Sequence, residues 1–286
     1  MRQAERGLLM LTSALGDPAA RPLTPQQYVA VGKLLRRSPS PRPADANLCP
    51  EDLTLAGIGE PYAAEILRLL EREEQLDRYL EDAENAGVEI VTMLSDDYPL
   101  TLSDRLGDEA PTVLFCKGDR SLLHERYISL VGSRQLGEQG REFASRVGLL
   151  AAQKGFTLVS GGAPGADRTA QTACFEAGGS ILVFTPERLD KLYAEENVLL
   201  VSTDGWELSF TSERALARNH LIHALGEKTF VAQCTYRRGG TWRGTMHNLR
   251  HKLSPVYICD DGTKAAAELI AEGANGVTAE QLENLI

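Results

Sequence analysis

The sequence predicts an α/β protein: a mainly parallel sheet with helices on both faces, preceded by a small helical N-terminal domain. Three observations carry this. From Thr112 onward, short apolar runs of strand length alternate with amphipathic stretches of helix length, the rhythm of parallel strands joined by crossover helices. Two of those runs end directly in glycine turns, VGSR at 131–134 and VSGGAPGADRTAQTA at 159–173. Before Gly87 the periodicity is helical, with no strand-length run.

Taken in order, residues 1–37 predict two or three short helices. The start, MRQAERGLLMLTSALG, has a charged head and an apolar patch interrupted by Glu5 and Gly7, so it predicts a first helix and not a signal peptide. LTPQQYVAVGKLLRR has Thr24 as cap and Pro25 at the first helical position, a sound helix start. The proline-rich SPSPRPADANLCP, 38–50, predicts a loop. LTLAGIGEPYAAEILRLL then outlines a helix–hairpin–helix around Gly57-Ile58-Gly59. Its second helix is expected to run from Pro61 to about Ala86, where Gly87 ends it. VEIVTML is a strand, the stretch 95–110 is polar, turn-rich and acidic, and the domain boundary is expected between about Gly87 and Pro111.

The strands of the second part are TVLFCKG, RYISLVGSR, FTLVSGG, SILVFTP, KTFVAQC and PVYICDD. GEQGREFASRVGLLAAQKG is a helix with Phe143, Val147 and Leu150 on one face, and PGADRTAQTACFEAGG is another. ENVLLVSTDG and ERALARNHLIHALG also predict helices, and GGTWRGTMHNLRHKL a loop followed by a helix. The domains are then 1–87, 88–263 and a short helical tail, 264–286.

Composition narrows the function classes. With 286 residues, 43% hydrophobic and 24% charged, the chain has ample core for one or two domains. No run of about 18 apolar residues is present, so no membrane span is expected. Five cysteines (49, 116, 174, 234, 259) lie far apart with no CxxC pair, which predicts buried thiols in a reducing cytoplasm rather than a disulfide framework or a zinc site. The net charge of −10 is uneven: residues 205–255 carry eight Lys/Arg against three acids, a net +5, leaving −15 elsewhere. A basic patch on an acidic protein predicts an anionic partner held at one site.

The glycine turns are where that anion is expected. Glycines let the backbone turn tightly, and the helix starting near Asp167 aims unpaired N–H groups and its dipole at the gap. The candidate residues are Gly132, Ser133 and Arg134 in the first turn and Ser160, Gly161, Gly162, Gly165 and Asp167 in the second. Arg218 and Asn219 precede an apolar helical stripe, Arg218 being either a phosphate ligand or a surface charge. In CTYRRGGTWRGTMHNLRHK, Arg237, Arg238 and Arg243 surround Gly239, Gly240 and Thr241. Tyr236 and Trp242 there could stack bases, or Trp242 could pack in the core. GxGxxG, P-loop, HExxH and GxSxG patterns are absent. His247 and His251, spaced i, i+4, have no third ligand nearby. No catalytic residue, metal or cofactor is assigned.

DDYPLTLSDRL…PTVLFCKGD, ISLVGSR, LVSGGAPGADRTAQ, ARNHLI and TFVAQC, in this order over roughly 88–262, resemble the DNA-processing protein A family, also called Smf. The resemblance implies a Rossmann-like core that binds single-stranded DNA, forms a homodimer and loads a RecA-type recombinase during natural transformation. It also implies that the glycine turns and Arg134 line a pocket for DNA phosphates, with Arg218 and Asn219 as the family's Arg-Asn pair. The sequence departs from the family at several places. Pro164 stands where a basic residue is usual, Gln171 where a histidine is, and His220 where the second arginine of RNR is. Tyr193 and Asn197 match a YP…N pattern whose proline is Ala194, and SGSL(I/L)TA has become RRGGTWRGT. Only about two dozen residues follow Gly262, so the family's frequent winged-helix domain is not expected.

The expected function is therefore non-enzymatic binding of single-stranded DNA. The alternative is a nucleotide-ligand sensor or phosphoribohydrolase-like protein using the same pocket: Gly239-Gly240-Thr241 resembles the GGxGT motif of those hydrolases, but the helix after it lacks their catalytic glutamate.

Overall fold

The computed structural model describes residues 1–38 and 48–286; most of the expected proline-rich loop, 39–47, lies outside them. Its helices are α1 (Gln3–Thr12), α2 (Pro25–Arg37), α3 (Pro50–Leu55), α4 (Tyr62–Leu70), α5 (Glu73–Asn85), α6 (Leu100–Leu106), α7 (Glu138–Gln153), α8 (Ala166–Glu176), α9 (Ser212–Ala217), α10 (Asn219–Leu225), α11 (Gly239–His251) and α12 (Lys264–Ala271). Its strands are β1 (Glu89–Thr92), β2 (Val113–Gly118), β3 (Tyr127–Val131), β4 (Thr157–Ser160), β5 (Ile181–Phe184), β6 (Val198–Ser202), β7 (Thr229–Val231), β8 (Val256–Cys259) and β9 (Asn275–Val277).

The strands form one sheet in the order β1-β2-β6-β5-β4-β3-β7-β8-β9. From β6 to β9 every pairing is parallel, and only β2, second from one edge, runs antiparallel to its neighbours β1 and β6. The central strands YISLV and TLVS are buried along their whole length, as strands covered on both faces must be. One face is covered by α1, α5, α7 and α8, whose Leu8, Tyr79, Phe143 and Ala170 share a core with Phe115, Leu130 and Phe230 of the sheet. The other face is covered by α6, α10, α11 and α12, with Leu102, Ile222, Trp242 and Leu269 in its core. A third, smaller core gathers Leu23, just before α2, with Val31, Leu53, Ile66 and Leu69 of α2, α3 and α4. Thr24 caps α2 as expected, its hydroxyl accepting from the Gln27 N–H.

Five expectations are corrected. The stretch ENVLLVSTDG is not helical: VLLVS is β6, buried throughout between β5 and β2. A short apolar run looks alike in a buried strand and a buried helix, and only the neighbours decide. The helix expected over 61–86 breaks at Glu71-Arg72. There the Arg72 guanidinium turns back to donate to the Met10, Ser13 and Leu69 carbonyls, and the break lets α5 lie along α1. The turn-rich stretch 95–110 contains α6, whose Leu102 and Leu106 are buried. The basic stretch after Arg238 is helix from Gly239, with no preceding loop. Residues 264–286, expected to be all helix, include β9, which pairs with β8 and extends the sheet.

Candidate functional site

The sheet has a switch point. From β3 the chain proceeds through α7 to β4 on one side, and β7 returns on the other side of β3 with its helices on the opposite face. Ligands of open α/β sheets bind outside the carboxyl ends of the strands at such a point. A cleft of about 450 Å³ lies there. Of the sequence-predicted residues, Gly132, Ser133, Arg134, Asp167, Arg218, Asn219, Arg238, Gly239, Gly240 and Thr241 line it. Turns more than a hundred residues apart are thus brought to one opening.

The turn after β3 is stitched to its neighbours. Gly132 has no space for a Cβ, because Ala166 at the start of α8 occupies it. The Ser133 N–H donates to the Gln233 carbonyl, its carbonyl accepts from Ala166, and the Thr241 hydroxyl donates to the Gly132 carbonyl at 2.9 Å. Gly165 (φ +87°) crosses so close to the Ser133 and Arg134 carbonyls that no side chain fits. Arg134 is left exposed at the mouth.

The second turn holds the main surprise. The Gly161 and Ala163 N–H groups, expected to meet a phosphate, donate instead to Asp167 Oδ2 at 3.1 and 3.2 Å. The carboxylate already fills the role of an anion there. Ser160 is buried and accepts from the Gln171 amide at 2.6 Å. Gly161 is pressed against the Arg218 guanidinium, and Gly162 accepts from Arg168. Ser160, Gly161, Gly162 and Gly165 therefore build the wall behind the cleft without lining it.

Arg218 is not a surface charge. Its guanidinium lies on Gly161, and Nε and Nη1 are buried with no hydrogen-bond partner among the described residues. A buried unpaired donor is costly, and an arriving phosphate oxygen would satisfy it. Burial lowers the Arg218 pKa against the pull of Asp167. Burial also raises Asp167 from 3.8 to about 6, opposed by Arg218, the two backbone N–H donors and Arg134. The two groups hold each other charged in a dry setting.

The basic segment 205–255 does not form one patch. Arg214 turns inward, donating to the Pro186, Leu208 and Ser209 carbonyls and pairing with Asp204 at 3.0 Å. Lys228 donates to the Leu285 carbonyl. Arg237 pairs with Glu268 at 2.9 Å over the Tyr236 ring. What remains for the cleft is Arg218 and Arg238, joined by Arg134 from outside the segment. Arg243 lies exposed on α11 beyond the lining. Trp242 is core, 8% exposed and edge-on to Tyr236, so neither ring is placed in the cleft to stack a base. Phe210 and Leu216 line the cleft instead, 42% and 39% exposed. A lone phenylalanine in the polar run ELSFTSER was the available signal. Among the described residues, no group of three His, Cys, Asp or Glu is arranged to hold a metal ion.

The model of the DNA recombination-mediator protein A family matches residues 89–285. The DNA processing protein DprA of Streptococcus pneumoniae is 32% identical over 203 residues, 66% of this chain and 71% of that one. Its crystal structure superposes with a TM-score of 0.73 at 26% identity, covering 98% of this chain and 96% of that chain. The Helicobacter pylori DNA processing protein A, solved for its single-stranded DNA binding mode, shares the fold at a TM-score of 0.58 and 21% identity, over 69% of this chain and 94% of that one. On the strength of the matched model, the chain belongs to the DNA recombination-mediator protein A family.

Proposed function

We propose that this protein binds single-stranded DNA in recombination or DNA uptake, without performing chemistry on it, through the cleft at the ends of β3, β4 and β7. The observation that carries the reading is Arg218: a buried guanidinium with two unpartnered nitrogens, flanked by Arg134 and Arg238. The α11 N-terminus, with Gly239, Gly240 and Thr241 in its first turn, adds a dipole of the right sign. Phe210 and Leu216 supply an apolar wall on which an unpaired base can lie. The relatives support the same reading: those from S. pneumoniae and H. pylori are DNA processing proteins, and the latter binds single-stranded DNA. They do not favour a nucleotide sensor or phosphoribohydrolase.

A RecA-type recombinase and a second copy of the chain are the partners the family resemblance implies, and the cytoplasm is the compartment where they would meet. No helix among the described residues is long and apolar enough to cross a membrane.

The test is fluorescence anisotropy with labelled single-stranded DNA at low and moderate salt, beside a duplex control. Preference for single strands is expected, with a log–log salt slope of roughly −2, since about three phosphate contacts contribute roughly 0.7 each. Arg134→Ala should weaken binding and flatten that slope. Absence of binding at low salt, or an unchanged affinity in Arg134→Ala, refutes the reading. A mononucleotide that raises the melting temperature where an oligonucleotide does not would point to the sensor instead.

A further inference from the structure

The chain from Lys228 to Cys259 contains no acidic residue, in a protein with 40 of them. At its centre lies α11, GGTWRGTMHNLRH. Gly240, in the first turn of this helix, lines the cleft. Arg243, His247, Arg250 and His251 follow it at helical spacings of three and four, so they share one face with Gly240. Arg243, Arg250 and His251 are exposed, and the His247 and His251 rings stack at 4.2 Å. A continuous line of cationic and titratable groups therefore leaves the cleft along the outside of α11. From Gly240 to His251 the line spans roughly 16 Å at about 1.5 Å per residue.

Two features separate this face from an ordinary solvated one. Arg243 and Arg250 make no ion pair among the described residues and sit in a stretch without acids, whereas Arg78 and Arg141, equally unpaired, have Glu74, Asp77 and Glu81 or Glu138 and Glu142 beside them in sequence. The helix also begins against its own dipole: Arg238 occupies the N-cap and no acid lies in the first turn. A cation there is disfavoured by the helix dipole, and an external anion offsets that. The acid facing this side is Glu109 of the 107–109 turn, which acts on His220 and His247.

We propose that single-stranded DNA held in the cleft continues along the exposed face of α11, its phosphates following Arg243 and Arg250. The inference rests on the cleft reading and adds a second binding segment to it. Arginine is suited to the role because its planar fork meets phosphate oxygens in pairs.

The experiment compares labelled oligo-dT of about 4 and about 16 nucleotides, lengths that bracket short and long single-strand sites. The wild-type protein is expected to gain affinity with length. Arg243→Glu/Arg250→Glu should bind the short oligonucleotide within about twofold of wild type, bind the long one roughly tenfold more weakly, and lose about 1.4 from the salt slope, two contacts at about 0.7 each. Arg78→Glu/Arg141→Glu, exposed on α5 and α7 of the opposite face, makes the same change in net charge and should retain the gain with length. Arg243→Gln/Arg250→Gln repeats the test without new acids. Equal losses in the opposite-face control, or an undiminished gain with length in either α11 variant, overturn the α11 segment alone. Failure of the wild-type protein to bind either oligonucleotide overturns the cleft reading and the segment with it.

Discussion

At the residue scale, Gly161 and Arg218 form a contact that separates binding from stability. Gly161 does not have a left-handed φ, so its backbone accepts alanine, but a Cβ there would overlap the Arg218 guanidinium. Gly161→Ala is expected to fold with a melting temperature within a few degrees of wild type, and to lose about tenfold or more in single-stranded DNA affinity by anisotropy. Arg218→Lys should lose a similar amount, because lysine keeps the charge and not the fork.

Asp167 sets a pH dependence at the same place. Its carboxyl is raised from 3.8 to about 6 by burial. The folded protein thus holds this proton more tightly than the unfolded chain, a contribution fully present below about pH 4 and lost as pH rises through about 6. Unfolding in urea should show this contribution shrinking between about pH 4 and about pH 6 in wild type and absent in Asp167→Asn. The ionised carboxylate also opposes an arriving phosphate. DNA affinity is therefore expected to rise as pH falls from about 7.5 to about 5.5, by up to roughly tenfold for one pKa unit of coupling. Burial lowers the pKa of both His220 and His247. The difference between wild type and Asp167→Asn isolates the aspartate.

At the scale of elements, α7 and α8 lie together through Gly148, where a Cβ would overlap the backbone carbonyl of Ala170. Backbone cannot move aside as a guanidinium can. Gly148→Ala should therefore cost about 1–3 kcal/mol in denaturant unfolding while leaving the salt slope of DNA binding unchanged, the converse of Gly161→Ala. The second element that matters is the 203–211 segment carrying Phe210. Arg214 ties its Leu208 and Ser209 carbonyls to Pro186, and Tyr79 of α5 packs tilted against Trp206 (ring centroids 5.7 Å apart) and donates to Glu207 at 2.9 Å. The N-terminal helices thus brace one wall of the cleft from the opposite face of the sheet.

At the scale of the molecule, the sheet shares one continuous core with α1 and α5 through Leu8, Leu9, Leu76, Tyr79 and Ala83. Deleting residues 1–87 would strip apolar side chains from Phe115 and Trp206 and expose a patch of the kind that drives aggregation. The truncated chain is expected to be insoluble or to melt well below the full chain, as judged by expression yield and thermal unfolding. A cooperative, stable truncated domain would show instead that the helices are only tethered. The global charge of −10 opposes DNA, so the proposed binding would rest on the local convergence of three arginines and on α11, and not on the field of the whole protein.

The sequence by itself determined the α/β class, the helical start and most strands, because apolar periodicity and glycine punctuation are local properties of the chain. It also located ten of the cleft residues, since strand-to-helix turns in such a sheet face its switch point whatever the ligand. Tertiary structure alone decided the rest. VLLVS became β6 because two strands flank it, and 275–277 became β9 because β8 left an edge to pair. Which N–H groups remain free, which arginines are tied inward and which aromatic faces the cleft depended on partners distant in sequence: Asp167 on the Gly161 turn, Asp204 on Arg214, Trp242 in the core while Phe210 stayed outside. Charge and aromaticity can be counted in a sequence, but their availability to a ligand is what remains after the fold has satisfied its own buried groups.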